Sequence, residues 1–256
     1  MLKITFLGTG TSQGVPVIGS EHPVCKSPDP KDKRLRVSVL VEWEDFHFVI
    51  DCGPDFRQQM LRCGLKRLDG ILFTHEHADH TAGLDDIRPF FFRQGNIPLY
   101  LSDRVHLNLA QRFSYIFSEH NKYPGAPSVD VQVVEAQKSF ILGNKEVVPI
   151  AVMHNKLPVF GYRIDNFAYL TDVKTIAESE IKKLNGLDCL VLSALRIEPH
   201  SNHLNLAEAL VLIKKIKPKQ AYLTHLSHLM GFHHEVSQQL PAGVFLAYDT
   251  LSIQSS

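Results

Sequence analysis

Apolar positions along the chain fall in short runs closed by glycine, proline or a polar cluster, and only a few stretches repeat with helical period. Residues 3–7 (KITFL) predict a first strand, followed by the Gly-rich stretch GTGTSQG, which reads as a tight turn. Residues 36–43 (RVSVLVEW) alternate and residues 46–50 (FHFVI) are apolar, so the intervening Glu44-Asp45 marks a hairpin. Residues 20–36, with three prolines, predict an irregular excursion. A helix over 56–62 should stop at Gly64, and 70–73 (GILF) reads as a buried strand. Residues 83–92 predict a helix perturbed by Pro89, 98–101 a strand, and Asp103 the cap of a helix reaching about His120.

After a turn-rich break at 121–128, strands are expected at 129–134 and 146–153, then a hairpin of 162–164 and 167–170. A helix over 173–185, a strand at 189–192, and a capping box (Asn205-x-x-Glu208) opening a helix over 206–216 follow. Strands at 221–223 and 244–247 close the series. Strands come first, then strands alternate with helices, which predicts an α/β chain with two sheets covered by outer helices. From residue 74 onward, strands repeatedly run into His or Asp. Strand ends that deliver such side chains to one rim suit a pre-organised metal site.

Composition narrows the picture. The 256 residues are 44% hydrophobic and 21% charged, which is ordinary for a folded soluble chain and is read here as one domain over 1–256. Lys plus Arg and Asp plus Glu both number 27, so balanced charge gives no support for a nucleic-acid partner. No apolar run approaches the ~20 residues that cross a bilayer, so no membrane partner is expected. Four cysteines without a dense framework, behind an opening MLKITFLGTG that does not resemble a secretion signal, predict a cytoplasmic protein with reduced thiols.

The chemistry concentrates in THEHADHTAGL, residues 74–84, where His75, His77, Asp79 and His80 fall within six residues. Imidazole and carboxylate donors suit zinc, manganese, iron and nickel alike, and crowding them without a cation is costly. The one-residue gap between His75 and His77 suits a loop rather than one helical face. His154, Asp172 and His225 follow singly at strand ends.

This order, HxHxDH and then single His, Asp and His, resembles the metallo-β-lactamase superfamily over nearly the whole chain. The resemblance implies a four-layer αββα sandwich of two mixed β-sheets and two divalent metal ions (Zn, Mn, Ni or Fe). His75, His77 and His154 would hold one, Asp79, His80 and His225 the other, and Asp172 would bridge them. The stretches GTGTSQGVPVIG, DCGPDFR, NHLNLAEAL and THLSHLMGFHHEV are similar to the phosphoribosyl 1,2-cyclic phosphate phosphodiesterases of phosphonate breakdown. That resemblance implies a small phosphodiester substrate, attack by a hydroxide shared between the metals, and a possible homodimer. His203 would act as general acid and phosphate contact, and His200 matches the motif less well. Asp51 resembles the family's aspartate that hydrogen-bonds a ligand histidine, and Asp249 is a weaker candidate for the same task.

The family also carries a structural zinc on a Cys-x-Cys-x-x-Cys stretch and a later His. Here Ser20 and His22 replace two of the cysteines, which leaves His22, Cys25 and His228 as possible ligands of an additional zinc, one short of a closed site. Cys52 is expected to be a buried structural thiol, and Phe90-Phe91-Phe92 to be core or a dimer contact. Arg57, Arg93, Lys156 and Arg196 are open candidates for a remote phosphate. Competing readings are a tRNA 3′-processing endonuclease, a thioesterase of the glyoxalase II type, and a non-catalytic metal-binding accessory protein similar to the pyrroloquinoline-quinone biosynthesis branch.

Overall fold

The computed structural model describes residues 1–118 and 122–255. In chain order, β1 (Leu2–Gly8), β2 (Ser38–Trp43), β3 (Phe46–Ile50), β4 (Gly70–Leu72), β5 (Ile97–Leu101) and β6 (Val129–Val133) lie side by side in one sheet. The second sheet contains β7 (Phe140–Leu142), β8 (Lys145–His154), β9 (Leu157–Ile164), β10 (Phe167–Leu170), β11 (Thr175–Ile176), β12 (Cys189–Ser193), β13 (Gln220–Thr224) and β14 (Val244–Leu246). The last strand, β15 (Ser252–Ser255), returns to pair antiparallel with β1. Both sheets are mixed. Each is antiparallel in its first half (β1–β2–β3; β8–β9–β10) and parallel in its second (β3–β4–β5–β6; β10–β12–β13–β14).

Helices α1 (Pro23–Lys26), α2 (Phe56–Cys63), α3 (Ala78–Thr81), α4 (Arg88–Gln94), α5 (Asp103–Arg112) and α6 (Ser114–Phe117) belong to the first half of the chain. Helices α7 (Glu178–Lys182), α8 (Leu206–Ile216) and α9 (His233–Ser237) belong to the second. The period-2 alternation of strands splits the core into layers. Along β2, Val39, Val41 and Trp43 meet Tyr162, Ile164 and Tyr169 between the sheets, while Leu40 turns outward toward Phe56, Met60 and Phe90. Along β12, Cys189 and Val191 face inward, and Leu190 and Leu192 pack outward with Leu184, Ala209 and Ile213. Apolar faces on both sides of both sheets produce the four layers, helix, sheet, sheet, helix.

Several sequence expectations need correction. Residues 173–185 are not one helix. Val173 N–H donates to Ser193 Oγ and Lys174 N–H to Met153 O, which draws the segment into β11 beside β8 and delays α7 to Glu178. Pro89 does not disrupt a helix over 83–92. A 3-10 turn, Leu84–Ile87, precedes α4, and Pro89 sits in the first turn of α4, where its missing N–H costs nothing. The cap of α5 is Ser102 rather than Asp103, and α5 stops at Arg112, followed by the short α6 to Phe117, so it does not run on toward His120, which itself lies outside the described residues. The Asn205–Glu208 capping box and the span of α8 are as the sequence predicts.

Parallel pairing explains why the chemistry gathers at one edge. β3 and β4 run together, as do β10, β12 and β13, so the residues that follow them emerge on the same side. The loops there are packed backbone to backbone. Cys52 N–H donates to His80 O at 2.9 Å, and Gly83 N–H donates to Cys52 O at 2.9 Å. A Cβ on Gly53 would strike the carbonyl oxygen of Asp79, and one on Gly83 would strike the carbonyl oxygen of Gly53. Gly53→Ala therefore has to push the HxHxDH loop away. Thermal unfolding should show Tm lower by roughly 3–10 °C; an unchanged Tm would contradict this packing.

Candidate metal centre

Three histidines at this edge, His75, His80 and His154, have Nδ1 committed to a hydrogen bond. His154, the last residue of β8, donates Nδ1–H to Asn202 O at 2.8 Å. His80 on α3 places Nδ1 2.6 Å from Asp51 Oδ2. Thr74 spends its hydroxyl hydrogen on the same Asp51 oxygen at 2.8 Å, so His75, 3.0 Å away, must donate its Nδ1–H to Thr74 Oγ1. These partners fix the tautomer and aim the Nε2 lone pairs inward. Among the described residues, His75 Nε2, His80 Nε2 and both ring nitrogens of His225 are buried without a hydrogen-bond partner. Buried acceptors facing one another without a donor are unstable unless a cation lies between them.

Carboxylates complete the surroundings. Asp172 Oδ2 lies 3.2 Å from His80 Nε2, and its Oδ1 lies 3.4 Å from His225 Nε2. Asp79 Oδ2 lies 3.3 Å from His80 Nε2 and 3.6 Å from His225 Nε2. Three groups have ligand atoms within 4.8 Å of one another: His75, His80 and Asp172; Asp79, His80 and His225; and His154, Asp172 and His203. Asp172 is common to two of them. His77 joins none, although its ring centroid is 4.5 Å from that of His75 and 5.4 Å from that of His154; it is exposed at the mouth.

The electrostatics of the centre call for positive charge. Burial alone would depress His80, yet Asp79, Asp172 and Asp51 around it drive its pKa well above the ordinary histidine value. Burial would raise Asp172, but His225 and His80 hold it well below the usual carboxylate range. Asp79 is lowered by His80 and His225 in the same way, against its own burial. His75, enclosed and next to His80, is pushed well below its ordinary value and stays neutral, the form that ligates metals.

Backbone strain positions three of these side chains. Asp51 (φ 62°), Asp172 (φ 53°) and His225 (φ 57°) adopt left-handed conformations directly beyond β3, β10 and β13. Such conformations cost non-glycine residues of order 1–3 kcal/mol and cluster at functional sites. The chain bends sharply there and turns each side chain into the centre.

Sequence reasoning missed the residues that hold the loop. Arg104 on α5 reaches Glu76 Oε1 at 2.8 Å through Nε and 2.7 Å through Nη2. Arg112 donates to Glu76 O at 2.9 Å and Thr81 Oγ1 at 3.0 Å, and Thr81 in turn donates to His77 O at 2.9 Å. Thr171 donates its hydroxyl to Asp172 Oδ2 at 2.7 Å. No motif marks these residues, because arginines and threonines at such spacings are common on any surface helix or strand end.

Other candidates lie elsewhere or do other work. Asp249 accepts from Thr9 Oγ1 at 2.8 Å and Leu35 N–H at 2.9 Å, and pairs with Arg62, so it braces the N-terminal loop instead of a ligand histidine. Cys52 is fully buried, and burial, with Asp51 and Asp86 nearby, pushes its thiol up, consistent with a packing role. Phe90 is core and Phe92 is exposed. Arg196 folds onto Glu198 O and Pro199 O of its own loop, Arg93 donates to Lys66 O, and Arg57 and Arg93 border a cavity beside Leu61 and Phe90. Lys156 is exposed.

His22, Cys25 and His228 supply three donors, one short of a closed structural zinc. The rings of His22 and His228 approach to 4.9 Å and His228 Nδ1 is buried without a hydrogen-bond partner, while His22 Nδ1 accepts from Val24 N–H as the cap of α1 and Cys25 Sγ accepts from Val17 N–H. Among the described residues the three ligand atoms do not gather into one cluster. The excursion is pinned by buried Asp32, which accepts from Ser27 Oγ at 2.6 Å and His233 N–H at 2.8 Å.

The family described as Beta-lactamase superfamily domain matches residues 47–226. A crystal structure of a diphosphatase from the PhnP family is 41% identical, with a TM-score of 0.92, and the match covers 98% of this chain and 96% of that one. The octanoyltransferase of Porphyromonas gingivalis is 38% identical over 252 residues; the match covers 98% of this chain but 51% of that protein, so this chain spans about half its length. A ribonuclease Z of Mycobacterium sp. strain KMS is 33% identical over 209 residues, 76% of this chain and 66% of that protein. Zn(2+)-bound PqqB from Methylobacterium extorquens, at 16% identity and a TM-score of 0.82, shares the fold. With the four-layer sandwich and a match over most of its length, the chain belongs to the β-lactamase superfamily and has the metallo-β-lactamase fold.

Proposed function

We propose that the chain is a dinuclear metal-dependent phosphodiesterase acting on a small phosphodiester of the 5-phosphoribosyl 1,2-cyclic phosphate type. The observation that carries this reading is the set of bare, buried Nε2 atoms of His75, His80 and His225 facing the carboxylates of Asp79 and Asp172. The likeness to the PhnP-family diphosphatase supports phosphorus-ester chemistry over the thioesterase and accessory-protein readings. The octanoyltransferase name does not weigh on it, because nearly half of that protein lies outside the match.

His75, His77 and His154 would hold one cation, Asp79, His80 and His225 a second, and Asp172 would touch both. Bound there, two divalent cations would supply Lewis acidity toward a phosphate oxygen and lower the pKa of a water. The chain does the rest. Asp51 and Asn202 O keep the imidazoles aimed, and the left-handed turns at Asp172 and His225 keep those groups from rotating away.

His203 stands over the centre. Its ring centroid is 4.4 Å from that of His154 and 5.1 Å from that of His225, and its buried Nδ1 is 3.7 Å from Asp172 Oδ1, too long for a hydrogen bond. Burial, with the charge of His225, pushes its pKa down to about 3 against the pull of Asp172. In the free site His203 is therefore neutral. It becomes a general acid only once a phosphodiester anion beside it favours the proton, which it then passes to the leaving oxygen.

The ribonuclease Z relatives favour one competing reading, cleavage of a precursor tRNA. Assaying both bis(p-nitrophenyl) phosphate and a precursor tRNA with metal-loaded protein separates the two. The proposal expects turnover of the small ester and no specific 3′ cleavage, and the reverse result overturns it. His203→Ala should retain the bound metal yet lose roughly 10²–10⁴-fold in kcat on an alkyl ester, whose leaving group needs a proton. The loss on a p-nitrophenyl ester should be much smaller; equal losses on both would remove the general-acid role. Asp172→Ala should bind less metal per chain by elemental analysis. Full occupancy in that variant would contradict a bridging carboxylate.

A further inference from the structure

The end of the second sheet away from the metal centre carries a cavity of about 440 Å³. It lies between the last turn of α8 and the start of β14, the edge strand that pairs with β13. Because β13 and β14 run parallel and β13 leads into His225, the starts of these strands lie at the edge opposite the metal centre. Leu210, Ile213, Pro218, Pro241 and Val244 give the cavity an apolar wall, in which Ile213 and Val244 are buried and Leu210 is half-buried. Cavities of this size, mainly apolar with a few polar groups, are where small ligands bind.

The ionisable groups that line it are all lysines: Lys214, Lys217 and Lys219. Lys219 pairs with Asp188, and the neighbouring Lys215, outside the cavity, pairs with Glu178. The ammonium groups of Lys214 and Lys217 have no hydrogen bond or ion pair among the described residues. Leu210, Ile213, Lys214 and Lys217 stand at i, i+3, i+4 and i+7, so one stripe of α8 and its cap runs from apolar to cationic. Lysines in a last helical turn complement the helix dipole wherever they occur. Here they also border a concave apolar surface on which no carboxylate stands. Lys217 takes a left-handed conformation (φ 58°) at the cap, where glycine would sit without strain, so a cation is kept at the cavity at a conformational cost.

We propose that this cavity binds a single-chain apolar carboxylate of the fatty-acid class. The alkyl chain lies against Leu210, Ile213 and Val244, and the carboxylate sits between the Lys214 and Lys217 ammonium groups. Removing the chain from water supplies most of the affinity. The two cations select the sign of the head group, because a charge-assisted hydrogen bond is available to an anion and none to a cation. The site shares no residue with the metal centre and does not rest on the phosphodiesterase reading.

The test is isothermal titration calorimetry of the metal-loaded protein with decanoate, acetate and decyltrimethylammonium. Decanoate should bind saturably, and acetate and decyltrimethylammonium at least roughly 10-fold more weakly. The variants are Lys214→Ala/Lys217→Gly, which keeps the left-handed cap, and Ala242→Asp, which places a carboxylate on the exposed rim of the cavity. Each should weaken decanoate binding by roughly 10-fold or more. Decanoate that bound both variants as tightly as the wild type would be occupying another site, such as the metals, and would overturn the proposal. Acetate or decyltrimethylammonium binding as tightly as decanoate, or no binding of decanoate, would overturn it as well.

Discussion

The buried carboxylate of Asp51 sets the orientation on which the centre depends. Its Oδ1 accepts Thr74 N–H at 2.9 Å, and its Oδ2 takes the Thr74 hydroxyl and His80 Nδ1. Through Thr74 it also governs His75. One side chain at the end of β3 thereby fixes two imidazoles delivered from beyond β4. Burial pushes its carboxyl up, with His80 and Thr74 acting against that, so the anion persists only because its donors stay in place. A carboxylate behind a ligand histidine both locks the ring and raises its basicity.

The two sheets contribute unequally but jointly. The first supplies Asp51 and the HxHxDH loop, and the second supplies His154, Asp172 and His225. Two of the three ligand groups draw on both halves, and the third, His154, Asp172 and His203, comes from the second. Closeness arises where the inter-sheet core brings the parallel portions into line, and tight backbone contacts at Gly53 and Gly83 then set the height of the loop. Left-handed turns finish the placement. The strain at Asp172 and His225 is tolerable because the packed strands behind them leave no relaxed alternative.

Much of this was legible in the sequence, for identifiable reasons. Strands announce themselves by alternation, so the hairpin of β2 and β3 and the buried β12 could be read directly. The helix α8 carried its own cap in Asn205 and Glu208. The metal-centre side chains stood out because histidine and aspartate repeat at strand ends in a fixed order. What stayed hidden depends on distant partners. Residues 173–185 have helical composition, yet pairing with β8 overrides it at Thr175–Ile176. The service of Arg104 and Arg112 to the loop is a tertiary contact across α5. Asp249 resembled a second Asp51 in sequence, but the fold places it against Thr9 and Leu35.

The central claim is that these side chains exist to hold cations. It is tested most directly by diffraction from crystals of metal-loaded protein, with anomalous scattering recorded at the absorption edge of the bound metal. The account predicts two peaks about 3.5–4 Å apart, one among His75, His77 and His154 and the other among Asp79, His80 and His225, with Asp172 between them. No peak at this edge of the sheets, or a single peak that leaves His75 Nε2 or His225 Nε2 without a metal contact, would contradict it.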